Sequence, residues 1–227
     1  MFLLERLQNG LVVSCQPVDD GPMDAPAITA AFAKAAEVGG AKGLRIEGLA
    51  NLSAVRAVTE LPIIGIIKHD LLDSPVHITP FLADVAGLVE RGADIIAYDA
   101  TQRPRPVSTA DVVAAIKASG KIAMADCATL KDADQALKDG ASIIGTTLSG
   151  YAYEIASAGA EPDYALITAF KKLGGFVMAE GRFNKPELVG KAMVFGADCV
   201  TVGSAITRVE HITGWFSDAV RQGKNGG

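Results

Sequence analysis

Short apolar runs recur along the chain at even intervals, separated by longer segments in which apolar residues return at helical spacing. One phrase, Gly-Ala followed by an apolar run and a polar residue, appears as Gly40-Ala-Lys-Gly-Leu-Arg45, Gly92-Ala-Asp-Ile-Ile-Ala-Tyr-Asp99, Gly140-Ala-Ser-Ile-Ile-Gly-Thr146 and Gly196-Ala-Asp-Cys-Val-Thr-Val-Gly203. Successive copies lie about fifty residues apart, the length of two βα units. Further apolar runs fall between them at Leu11–Gln16, Pro62–Lys68, Ile122–Asp126 and Phe176–Glu180, so eight strands are predicted.

The intervening segments carry helix punctuation. Thr79-Pro80 predicts an N-cap followed by proline at the first helical position, with Gly92 closing that helix. Ser108-Thr-Ala-Asp111 and Thr129-Leu-Lys-Asp132 resemble capping boxes with Asp in place of Glu. Pro162, Pro186 and the stretch after Arg208 open the later helices. Short strands alternating with helices predict parallel βαβ units. With no linker, low-complexity segment or shift in composition, the expectation is a single (β/α)₈ TIM barrel, one catalytic domain over residues 1–227. A doubly wound eight-stranded sheet is the structural alternative.

Composition narrows the function classes. The chain is 49% hydrophobic but only 6% aromatic, which suits helices packed tightly around a parallel sheet. A net charge of −5 offers no broad basic face, so nucleic acid is not an expected partner. No apolar run approaches the ~20 residues that cross a bilayer, and the N-terminus lacks the apolar core of a signal peptide, so a cytoplasmic protein without membrane association is expected. The odd number of cysteines (Cys15, Cys127, Cys199), each within or ending an apolar run, predicts buried free thiols.

In barrels of this kind chemistry gathers where the strands end, because the βα loops converge there. The predicted strands end in Gln16, Arg45 and Glu47, Lys68, Asp99, Asp126, Thr146-Thr147, Glu180 and Gly203-Ser204. Strands that exit into water often end polar, which accounts for any one of these. It accounts poorly for Lys68, Asp126 and Glu180 together. Each follows apolar residues two and four positions earlier, so period-two alternation aims all three along one face. If that face is the interior, three charges meet in one mouth. A lysine there is a candidate proton-transfer group, with a structural ion pair to Asp126 or Glu180 as the plainer reading.

Gly181-Arg182 and Gly203-Ser204-Ala-Ile-Thr-Arg208 follow the last two strands, where such barrels often bind phosphate. Glycines let backbone amides approach the anion, and Arg208 can add a bidentate contact. The three histidines are scattered without ligand spacing and no dinucleotide fingerprint is present, so neither metal nor organic cofactor is expected. Thr101-Gln-Arg-Pro-Arg-Pro106 reads as a solvated loop or a lid over an anionic substrate, and Tyr151-Ala-Tyr153 as cover for the rim. Met1-Phe-Leu-Leu4 with Trp215 and Phe216 reads as a homodimer patch; the alternative is that they plug the barrel bottom and pack on its outer ring.

Taken nearly end to end, the chain resembles the N-acetylmannosamine-6-phosphate 2-epimerase family. The most specific stretches are Pro62-Ile-Ile-Gly-Ile-Ile-Lys68, Asp99-Ala-Thr101, Ile144-Gly-Thr-Thr-Leu-Ser-Gly-Tyr151 and Ala179-Glu-Gly-Arg182. The resemblance implies a cofactor-independent isomerase that interconverts N-acetylmannosamine 6-phosphate and N-acetylglucosamine 6-phosphate in sialic-acid catabolism. It implies Lys68 as acid/base and Glu180 as its catalytic partner. It further implies that Gln16, Arg45, Asp126 and Thr147 line the sugar, while Gly181, Arg182, Gly203, Ser204 and Arg208 hold phosphate. This chain departs from the family pattern at Glu47, where a small residue and Asn often follow the arginine. It departs again at His69-Asp70-Leu71, where Arg-Asp-Tyr is common, and in the loop from Pro17 to Asp24. The competing readings are another phosphate-binding barrel isomerase and a non-catalytic sugar-phosphate sensor, which would not need both Lys68 and Glu180.

Overall fold

The computed structural model describes residues 3–153, 159 and 161–225. Eight strands, β1 (Gly10–Cys15), β2 (Gly43–Glu47), β3 (Ile63–Ile66), β4 (Ile95–Asp99), β5 (Ile122–Asp126), β6 (Ile143–Gly145), β7 (Phe176–Glu180) and β8 (Cys199–Val202), pair in parallel and in sequence order. β8 closes on β1, so the sheet is a barrel and not the doubly wound alternative. The helices are α1 (Leu3–Leu7), α2 (Pro26–Val38), α3 (Leu49–Arg56), α4 (Leu82–Glu90), α5 (Thr109–Ala118), α6 (Leu130–Asp139), α7 (Tyr164–Leu173), α8 (Pro186–Val194), α9 (Ser204–Thr207) and α10 (Val209–Asn225).

Period-two alternation divides each strand between two cores. In β5 Ala123 and Ala125 join the outer core beneath the helices, while Met124 joins the interior cluster with Val12, Ile64, Ile95, Met178 and Cys199. Asp126, Arg45 and Glu180 continue the inward rows one step further, so charge replaces the apolar layer that would otherwise fill the mouth. All three cysteines are buried and free.

Local punctuation explains most helix starts. The Ser108 hydroxyl accepts the Asp111 amide at 3.1 Å and heads α5. Thr129 and Asp132 cap α6 reciprocally, at 3.2 and 2.9 Å. Asp163, not Pro162, caps α7 by accepting the Leu166 amide at 2.9 Å. The helix expected at Thr79-Pro80 begins later, at Leu82. Thr79 lies at φ 47° and its amide donates to the Ile67 carbonyl at 2.7 Å, so it is held in a ribbon with the end of β3 and cannot start a helix. β3 ends at Ile66 for the same reason: Lys68 leaves the sheet and pairs with Ile78 in an antiparallel bridge.

Leu7 is fully buried in the interior cluster, with Leu3 and Leu4 packed against it, which supports the plug reading of the N-terminus. Met1 and Phe2 of the expected dimer patch lie outside the described residues. No described helix is long and apolar enough to cross a membrane.

Candidate active site

The floor of the mouth is a buried ion cluster. The Arg45 guanidinium grips Asp126 with both ends, Nη2 to Oδ2 at 2.6 Å and Nη1 to Oδ1 at 3.1 Å. Its Nη1 also lies 3.3 Å from Glu180 Oε2. Thr147 Oγ1 donates to Asp126 Oδ1 at 2.7 Å and stands 3.4 Å from Glu180 Oε2. The Thr146 hydroxyl accepts the Glu180 amide at 3.0 Å and donates to its carbonyl at 2.8 Å, fixing the end of β7. Burial alone would favour loss of Arg45's proton, but Asp126 and Glu180 more than offset it and Arg45 stays charged. Burial raises the Glu180 carboxyl most, and the Asp126 charge adds to that. Arg45, Thr147 and Lys68 pull the other way, leaving Glu180 pushed up to about 6.

Lys68 stands apart from this cluster. Among the described residues its ammonium has no carboxylate within ion-pair distance, because Arg45 occupies both Asp126 and Glu180. The plainer reading of Lys68 as a structural ion pair therefore gives way. Its side chain is also more open to water than its apolar strand implied. The cavity walls still remove part of the water around the ammonium. That burial, with the positive charges of Arg45 and Arg208, moves its pKa down; Glu47 and Asp19 partly restore it. A lysine with a lowered pKa and no fixed partner is equipped to exchange protons.

Above the floor lies a cavity of about 700 Å³. Gln16, Lys68, Thr147, Glu180, Gly181, Arg182, Gly203, Ser204 and Arg208 all line it, whereas Arg45 and Asp126 are buried beneath it. Gly181 and Arg182 turn through φ 104° and 63°, a left-handed pair that bends the chain sharply after the Glu180 carboxylate. The Arg182 side chain is already engaged, with Nε donating to the Glu161 carbonyl at 2.7 Å and Nη1 to the Ser149 carbonyl at 2.6 Å. Its guanidinium thus anchors the loop. Arg208 uses only Nε, on the Gln16 carbonyl at 3.0 Å, and its terminal nitrogens remain for an anion.

Ser14, Thr201, His211 and Trp215, which the strand-end pattern does not assign to the site, also line the cavity. Ser14 and Thr201 lie two residues before Gln16 and Gly203, so strand alternation could have found them. His211 and Trp215 follow Arg208 at helical spacing, which brings Trp215 to the cavity edge and not only to the outer ring. The 101–106 loop is solvated at Gln102, Pro104 and Pro106, while its two arginines turn inward: Arg103 pairs with Asp99 at 2.7 Å, and Arg105 donates to the Asp99 carbonyl at 2.6 Å. Among the described residues, no group of three or more His, Cys, Asp or Glu could hold a metal ion.

A family model described as "Putative N-acetylmannosamine-6-phosphate epimerase" matches residues 29–222. The chain belongs to this family. A relative from Photobacterium profundum, named "Putative N-acetylmannosamine-6-phosphate 2-epimerase", is 58% identical over 96% of this chain and 92% of its own length. One of the same name from Haemophilus influenzae is 53% identical over 98% and 96%. The solved N-acetylmannosamine-6-phosphate 2-epimerase from Clostridium perfringens superposes with a TM-score of 0.93 at 39% identity, covering 96% of both chains. Membership in the epimerase family favours an enzyme over a sensor, and it agrees with a mouth holding an unpaired lysine beside a buried carboxyl.

Proposed function

We propose that this epimerase-family barrel interconverts N-acetylmannosamine 6-phosphate and N-acetylglucosamine 6-phosphate, in sialic-acid catabolism, by moving the proton on C2. The observation that carries the reading is Lys68, whose ammonium is ion-paired with no carboxylate among the described residues and which stands in the same cavity as Glu180 and the Arg208 loop. The C2 proton becomes acidic only beside a free C1 aldehyde, so the ring opens first. Glu180 takes the C1 hydroxyl proton as the bond from C1 to the ring oxygen breaks and passes that proton to the ring oxygen. Neutral Lys68 then removes the C2 proton and the electron pair passes to the C1 oxygen as an enolate. A proton from water enters the other face of C2, the Lys68 ammonium gives its proton to solvent, and the ring closes by the reverse of its opening. Arg45 lies beneath the floor, so it stabilises the developing charge through its field and by holding Glu180. No residue in this scheme calls for a metal or organic cofactor.

The phosphate is assigned to the Gly203–Ser204 turn, the Gly181–Arg182 turn and the free end of Arg208. Residues 1–227 form one catalytic domain, in a cytoplasmic homodimer with a small-molecule substrate as its only other partner. The exposed Trp215, Phe216 and Val220 of α10 are consistent with that assembly. Arg208→Ala should raise KM for both sugar phosphates by roughly 10–100-fold, from ~1.5–3 kcal/mol for hydrogen bonds to a charged group. Binding of unphosphorylated N-acetylmannosamine should barely change, and an unaltered KM for the phosphorylated sugar would show that the anion sits elsewhere.

Acid inactivation is a second expectation. Glu180 must be a carboxylate to accept the hydroxyl proton, and its pKa is pushed up to about 6. Neutral Lys68 already makes kcat/KM fall with falling pH; as the pH drops through about 6 the Glu180 carboxylate is lost as well, so the fall should steepen by a further factor of about ten per pH unit. Glu180→Gln should be severely slowed and should keep only the Lys68 limb, without the steepening. A wild-type profile that does not steepen well below the Glu180 transition would remove the carboxylate from the mechanism.

A further inference from the structure

Among the described residues Lys68 has no ion pair to hold its side chain, so its place in the mouth depends on the backbone that carries it. That backbone left the sheet at Ile66. It is kept in place by a short antiparallel ribbon: Thr79 donates to the Ile67 carbonyl at 2.7 Å, and His69 donates to the His77 carbonyl at 3.0 Å. The ribbon is tied to β4 where the Asp99 amide donates to the Ile78 carbonyl at 3.0 Å.

On the other side the Lys68 amide donates to Glu47 Oε1 at 3.4 Å, and the His69 ring ties the next residue to the helix layer. Its Nε2 lies 2.9 Å from Asp84 Oδ1, and because a carboxylate can only accept, that nitrogen carries the hydrogen. Asp84 is buried, and its second oxygen accepts the Phe81 amide at 3.0 Å, where it heads α4. The ring also meets Phe81 edge-on, with centroids 5.2 Å apart at 86°. One side chain therefore joins the residue next to Lys68 to the first turn of α4.

We propose that His69 is a positioning residue, which sets the reach of the Lys68 ammonium through its bond to Asp84. The inference rests on Lys68 being the acid/base of the proposed reaction. An acid/base acts only within hydrogen-bond reach of its proton, and a misplacement of about 1 Å can cost on the order of 10²-fold in rate. Substrate binding does not depend on the bond, because the phosphate is held on the far side of the barrel by β7 and β8. His69 thus ties the residue next to Lys68 to the start of α4.

The test compares His69→Phe, which keeps a flat ring against Phe81 but loses the donor, with His69→Arg, which restores a donor to Asp84. Each is assayed with N-acetylmannosamine 6-phosphate, protiated and deuterated at C2. His69→Phe should lower kcat by about 10–100-fold with KM unchanged within about twofold, and should enlarge the C2 isotope effect, since a displaced base slows proton transfer. His69→Arg should return kcat to within about threefold of wild type. Asp84→Asn, a milder variant should His69→Phe fold poorly, should lower kcat likewise and add nothing when combined with His69→Phe. An unchanged kcat in His69→Phe, a rise in KM alone, or effects of His69→Phe and Asp84→Asn that multiply would overturn the assignment. A wild type that exchanges C2 normally beside an unaffected His69→Phe removes only the role of His69; a wild type that never exchanges C2 removes the proposed reaction with it.

Discussion

Lys68→Ala is expected to lose epimerisation and exchange of the C2 proton together, by roughly 10²–10⁴-fold, the usual contribution of a positioned acid/base. The expectation rests on its isolation. Arg45 already satisfies Asp126 and Glu180, so removing the Lys68 ammonium strips no buried carboxylate of its partner. Stability and binding of either sugar phosphate should therefore survive, which separates a chemical role from a structural one. Lys68→Arg should be nearly as inactive, because a guanidinium does not release its proton at usable pH. Exchange into C2, followed by proton NMR in deuterated buffer, reads the step itself. Exchange that persisted at the wild-type rate in Lys68→Ala would assign the base to another residue.

Arg45→Met should have the opposite character, a loss of stability first and of activity as a consequence. The guanidinium is 1% exposed and, among the described residues, is the one cation paired with the buried Asp126 and the largely buried Glu180. Breaking a buried pair by removing one partner typically costs ~3–5 kcal/mol, because the remaining charge stays buried without compensation. In a domain of this size that corresponds to a fall in Tm on the order of 10 °C, at ~2–4 °C per kcal/mol. Denaturant unfolding and thermal melting of the variant check the figure. A stability within ~1 kcal/mol of wild type would show that the cluster is wetter and looser than the bidentate geometry implies.

Much of this architecture was legible in the chain because it depends on periodicity. The Gly-Ala repeats and the two-residue alternation before Lys68, Asp126 and Glu180 were enough to expect a closed barrel with charge at one mouth. The partnerships were less legible. Alternation tells which face a residue takes, but not which of the strand-end carboxylates an arginine will grip across the barrel; Arg45 reaches Asp126 from a strand three places away. Arg182 reads as an anion ligand in sequence, and it lines the cavity, but the carbonyls of Glu161 and Ser149 that hold its Nε and Nη1 carry no signal in the chain. Thr79-Pro80 has the local chemistry of a helix start, but the long-range bond to Ile67 overrides it. That bond was invisible to local signals, and it builds the ribbon on which Lys68 sits.

The central claim is reversible removal of the C2 proton with the rest of the sugar intact. Incubation of N-acetylmannosamine 6-phosphate with the wild-type protein in deuterated, chelator-treated buffer, followed by NMR, tests it most directly. The account predicts that N-acetylglucosamine 6-phosphate appears with deuterium at C2, that the recovered starting sugar gains it too, and that no added metal or nucleotide is needed. Epimerisation in which C2 keeps its original hydrogen would contradict the account, since inversion would then proceed without the proton transfer assigned to Lys68.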